Sequence, residues 1–120
     1  MRIKITSGKV SMEAELNGSD TAKALAGALP VEGKVNTWGD EIYFSVPVDS
    51  PPENPVETVE EGDIAYWPRG NAFCIFFGMT PVSSPGEIRP ASAVNPLGKL
   101  LGDPGEWKKV SDGDDIRLEP

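Results

Sequence analysis

Asn36-Thr37-Trp38-Gly39-Asp40-Glu41-Ile42-Tyr43-Phe44 decides how this chain folds. Residues 34–38 and 41–46 read as two strands joined across Gly39-Asp40. So short a connection needs a positive φ, which glycine accepts because it has no Cβ to clash. In the second strand Ile42, Phe44 and Val46 share one side, and Glu41, Tyr43 and Ser45 share the other. A half-buried strand turns its aliphatic set inward and leaves the second set at a rim or in water.

On the N-terminal side, Ile3 and Ile5 alternate with polar residues. After Ser7-Gly8-Lys9, Val10, Met12, Ala14 and Leu16 alternate in the same way. Period two on both sides of a turn predicts a β-hairpin with one buried face. Asn17-Gly18-Ser19-Asp20 then offers turn and N-cap oxygens, Ala22, Leu25, Ala26 and Leu29 recur at helical spacing, and Pro30 stops the helix.

On the C-terminal side, residues 48–59 are rich in proline and read as a loop. Ile64-Ala65-Tyr66-Trp67 is a short strand ended by Pro68. Ala72-Phe73-Cys74-Ile75-Phe76-Phe77 is apolar throughout, which predicts a central strand buried on both faces. Residues 79–90 form a second irregular loop with Pro81, Pro85 and Pro90. Leu97 to Leu101 reads as a strand bent at Gly98, residues 106–110 as one helical turn, and Ile116 and Leu118 mark a last strand. About eight short strands, one helix and frequent turns predict an all-β barrel or sandwich. No linker divides the chain, so residues 1–120 form one domain.

Composition narrows the function. A net charge of −8 gives a surface that repels nucleic acid and anionic membrane surfaces. The first residues alternate instead of forming a leader, and no run suits a membrane helix, so a cytoplasmic location is expected. There is no histidine, which removes Ser-His-Asp and Cys-His catalysis and the commonest zinc ligand. No phosphate loop or nucleotide fingerprint is present, and no cofactor or metal is expected. Asp112-Gly113-Asp114-Asp115 lacks calcium-loop spacing and reads as a solvated turn. Cys74, the single cysteine, sits in the apolar strand and reads as a buried, inert thiol.

Three blocks carry a resemblance. They are residues 36–44, then Gly62-Asp63-Ile64-Ala65-Tyr66-Trp67-Pro68 running through Phe73 to Gly78, then Pro90-Ala91-Ser92-Ala93-Val94-Asn95 with Gly98-Lys99. In this order they resemble the small prokaryotic cyclophilin-like domain family of unknown function, and the likeness extends over nearly the whole chain. It implies a closed eight-stranded barrel of cyclophilin type. True cyclophilins catalyse peptidyl-prolyl isomerisation with an arginine set in an aromatic-His-Arg-aliphatic strand. The corresponding stretch, Glu41-Ile42-Tyr43-Phe44, has Tyr43 in that place. A phenol donates a hydrogen bond but carries no positive charge at pH 7. Arg69 and Arg89, both in loop segments, are the remaining candidates for a cation there.

Every aromatic except Trp107 falls between residues 38 and 77. Bulky residues fill small barrels, and this accounts for Phe44, Phe73 and Phe76. Tyr43, Tyr66 and Trp67 have polar tips that must be satisfied or wet. Tyr43, Trp67 and Phe77 are the expected walls of an aromatic-lined pocket, and Glu41 is its polar contact. Ser92 and Asn95 either hydrogen-bond a ligand or tether the loop to the barrel. Asp40 and Glu41 are not expected to converge as a carboxylate pair, because neighbouring strand residues face opposite ways. The expected function is binding of a small molecule or short peptide without prolyl isomerisation, with oligomerisation open. The alternatives are a weak peptidyl-prolyl isomerase and, by resemblance, an accessory relative of amide- and lactam-hydrolysing barrels.

Overall fold

The computed structural model describes residues 1–120. A single nine-stranded antiparallel sheet curls into a nearly closed barrel. Its strands are β1 (Arg2–Ser7), β2 (Val10–Leu16), β3 (Val31–Lys34), β4 (Asn36–Thr37), β5 (Glu41–Ser45), β6 (Asp63–Trp67), β7 (Ala72–Phe76), β8 (Asn95–Leu100) and β9 (Asp115–Glu119). Helix α1 (Asp20–Ala28) follows β2, and a 3-10 helix, Pro104–Lys109, precedes β9.

The strand order is β3-β9-β1-β2-β8-β6-β7-β5-β4. Its two ends, β3 and β4, are separated in sequence by Val35 alone. They are the halves of one bent segment, residues 31–37. The first half pairs with β9 and the second with β5, so the chain itself spans the seam. The resemblance implied eight strands; counting the bent segment once restores that number, and the sheet assignment divides it because the bend at Val35 interrupts the ladder.

The alternation seen in the sequence sets the inner face. Ile3, Ile5, Val10, Met12, Ala14 and Leu16 of the first hairpin are buried with Ile42, Phe44, Ile64, Tyr66, Phe73 and Ile75. Ala22 and Leu25 of α1 and Trp107 of the 3-10 helix join the same core. Ser19 caps α1, its hydroxyl accepting from Ala22 N at 3.1 Å. The Glu53 carboxylate closes the helix start more fully, accepting from Asp20 N and Thr21 N at 3.0 and 2.9 Å. It satisfies donors that the first helical turn leaves free, and its negative charge suits that end of the helix.

Strand β7 is buried along its whole length. Its outer face carries Cys74 and Phe76, which pack with Ala65 and Val94 into a second, smaller core. Two loop segments roof that core, one before β6 and one before β8. Paired backbone hydrogen bonds between Val56 and Val94, at 2.9 and 3.0 Å, and Val59 N to Ile88 O, at 2.9 Å, stitch the two together. The site lies in this roofed part of the barrel wall.

Candidate functional site

The hairpin from β4 to β5 places the first two side chains. Trp38 and Glu41 exchange backbone hydrogen bonds of 2.9 and 3.2 Å, closing a two-residue turn with Gly39 at φ +59°. Residues directly opposite in a hairpin share a face, so Trp38 and Glu41 both point outward from the barrel. Gly39 is required for a second reason. A Cβ there would lie 2.8 Å from Pro81 and 2.9 Å from the Met79 carbonyl oxygen. The turn is thereby seated against the segment that follows β7.

Tyr43 stands two residues beyond Glu41 on the same face, and its cross-strand partner is Cys74. Trp67 comes from the end of β6. The Tyr43 and Trp67 rings meet edge to face, with centroids 6.0 Å apart and planes at 78°. Two contacts fix Trp67. Its indole N–H donates to Ser92 Oγ at 2.6 Å, and its ring lies so close over Gly70 that a Cβ there would be 2.4 Å from it.

These four side chains line a cavity of about 250 Å³. Pro90, Ala91 and Val94, from the loop before β8, complete the lining. Glu41 is the only charged residue that faces it. No lysine or arginine pairs with Glu41: Arg89 is held by Glu87 at 2.8 Å and Glu57 at 3.9 Å, and Arg69 is absent from the lining.

Glu41 is 5% exposed, and its Oε1 is buried with no hydrogen-bond partner. Burial among aromatic and aliphatic groups penalises the charged form, which pushes its pKa up to about 7. Hydrogen bonding with the adjacent Cys74 thiol is the smaller effect and acts in the other direction. Burial, and then the Glu41 charge, push the Cys74 thiol well above its ordinary range, so it stays protonated. No group of three or more His, Cys, Asp and Glu side chains converges to hold a metal ion.

Of the residues singled out in the sequence, Glu41, Tyr43 and Trp67 meet at the cavity. Ser92 stands behind it, as acceptor for Trp67. Asn95 is buried elsewhere: its side chain donates to Thr21 Oγ1 and Pro51 O and accepts from Glu53 N. It is a tether for the first roofing loop. Phe77 lies on the opposite side of the wall, in the main core. Strict alternation explains the placement, since Phe73, Ile75 and Phe77 face inward while Cys74 and Phe76 face outward. Trp38, Pro90, Ala91 and Val94 were not anticipated. Trp38 was accessible to the same hairpin logic, as the direct partner of Glu41, whereas the other three belong to a loop without periodicity.

Barrel topology, a roofed outer wall and a lateral aromatic cavity together define a small barrel of cyclophilin type. The chain belongs to the Cyclophilin-like family, whose sequence profile matches residues 1–119. It is similar to the hypothetical protein AF2241 from Archaeoglobus fulgidus, whose solution structure superposes with a TM-score of 0.84. The two share 42% sequence identity over 99% of this chain and 93% of that one. No curated protein matches the chain.

Proposed function

We propose that this protein binds a small molecule in the cavity between Trp38, Tyr43 and Trp67, and that it does not isomerise prolyl bonds. The observation that carries the reading is the site's composition. It is an apolar recess with aromatic walls, positioned by hydrogen bonds and close packing, around one buried carboxyl with an unused oxygen. Ligand pockets combine mostly apolar walls with a few convergent polar groups in this way. At about 250 Å³ the recess suits a compact ligand or a single ligand group better than an extended peptide. Isomerisation by the mechanism the resemblance implies uses a cation near the amide, and the lining contains none. A carboxyl there does not supply the missing positive charge.

Binding is tested by screening a fragment panel against labelled protein by NMR. Shifts clustered on Trp38, Glu41, Tyr43 and Trp67 are the expected result, and shifts scattered over the surface would count against the pocket. An isomerase assay with a chromogenic proline peptide is expected to give no rate above background. Robust turnover that Tyr43→Phe abolishes would overturn the second half of the proposal.

A further inference from the structure

Resting on that reading, we infer that the cavity is built for an organic cation, an alkylated ammonium group seated among Trp38, Tyr43 and Trp67 against the Glu41 carboxylate. The first argument is charge. The carboxyl of a residue 5% exposed, with one oxygen free, is stable as an anion only with a partner. The protein supplies no lysine or arginine at the cavity, so the carboxyl either keeps its proton or takes its compensating positive charge from a ligand. An anionic ligand is disfavoured by the same carboxylate.

The second argument is the shape and chemistry of the walls. Three aromatic side chains surround the recess, and two of them meet at 78° to form a corner. Aromatic faces attract cations through their quadrupole. Pro90 contributes no N–H, and Ala91 and Val94 contribute apolar surface. A primary ammonium brings three N–H donors and needs acceptors for them. The side chains lining this cavity offer few beyond the carboxylate and the Tyr43 hydroxyl. An alkylated ammonium, whose methyl groups make no such demand, matches the lining.

The test compares choline with 3,3-dimethylbutan-1-ol, its neutral isostere, at pH 8. Binding is followed by calorimetry and by the indole N–H signals of Trp38 and Trp67. The expected result is choline binding at least about ten-fold tighter than the alcohol, with both indole signals moving. Glu41→Gln removes the counter-charge but leaves the aromatic walls, so it is expected to cut the choline preference by about five-fold. Trp38→Leu keeps the charge and lies on a half-buried hairpin, and it should weaken choline several-fold while the barrel remains folded. Equal or tighter binding of the alcohol would overturn the cation while leaving the pocket standing. So would a choline preference that is undiminished in Glu41→Gln. If neither probe moves the indole signals, the cation inference fails, and the neutral fragment screen decides the pocket on its own.

Discussion

Glu41 sets folding against binding within one side chain. Its carboxyl is buried against a mostly apolar recess, and no hydrogen bond to Oε1 compensates. The pKa of about 7 in the folded state lies above the ordinary value of 4.5. Below pH 4.5 both folded and unfolded chains hold the proton, and the residue is neutral to stability. Between about 4.5 and 7 the folded chain holds a proton that the unfolded chain has released. Stability therefore falls as pH rises through that window and levels off above it. The groups facing Glu41 are Tyr43 on its own strand and Cys74 from β7, neither of which brings a positive charge. A full shift of this kind corresponds to a few kcal/mol at most, at about 1.4 kcal/mol per unit. Glu41→Gln is expected to melt higher than the parent at pH 8 and to converge with it near pH 4.5. Urea titrations across this range check the sign: a variant less stable at pH 8 would mean that the anion already has a partner. Glu53, lowered by its hydrogen bonds to Thr21 and Asp20, acts the opposite way, its contribution disappearing on acidification. Because Glu53 is common to both proteins, its effect cancels in the comparison.

Among elements, the turn from β6 to β7 shows how packing without any ligand contact fixes a binding wall. Gly70 leaves room for the Trp67 ring, and Ser92 holds the indole N–H. Gly70→Ala is expected to push the ring out of place at a cost of about 1–3 kcal/mol. A shift in the Trp67 indole resonance, with the β-sheet signals unchanged, is the corresponding readout. Ser92→Ala removes one acceptor and should weaken a bound ligand by about five-fold, the equivalent of roughly 1 kcal/mol. Gly98 in β8 sits under a harder constraint. Its φ is +149°, and a Cβ would stand 1.8 Å from the Glu15 carbonyl oxygen, beside the register shift between Ile64 and Ala65. Gly98→Ala should therefore cost at least about 3 kcal/mol, measured by denaturant unfolding. The sequence signalled this strand and its bend, but neither the close approach of β2 nor the ring over Gly70. The first is a contact between segments distant in the chain, and the second, though only three residues apart, depends on the rotamer Trp67 takes when Ser92 holds its indole, which no local period encodes.

At the scale of the whole molecule, period two made the inner face of the barrel legible from residues alone. Isoleucine, valine and leucine at alternate positions have one way to leave water together, and Phe77 follows that rule where expectation had put it in the pocket. The outer face was half legible. An apolar β7 required a second layer, but prolines at 51, 52, 55, 81, 85 and 90 gave the roofing loops no period from which to read their path. Besides their backbone bridges, their placement depends on individual side-chain tethers, of which Asn95 is one, with three hydrogen bonds. It joins β8 to the start of α1 and to the loop backbone at Pro51 and Glu53. Replacing it leaves several buried polar groups without partners, a loss of about 1–3 kcal/mol. If the roof is held this way, Asn95→Ala should speed hydrogen exchange in residues 53–59 and at Thr21, while the amides of β5 and β7 keep their protection. The pocket gains Val94 from the segment that Val56 stitches down, so the same variant should also bind ligand more weakly. Uniformly faster exchange across the barrel would show that Asn95 supports the fold as a whole, and that the roof does not move independently of the wall it covers.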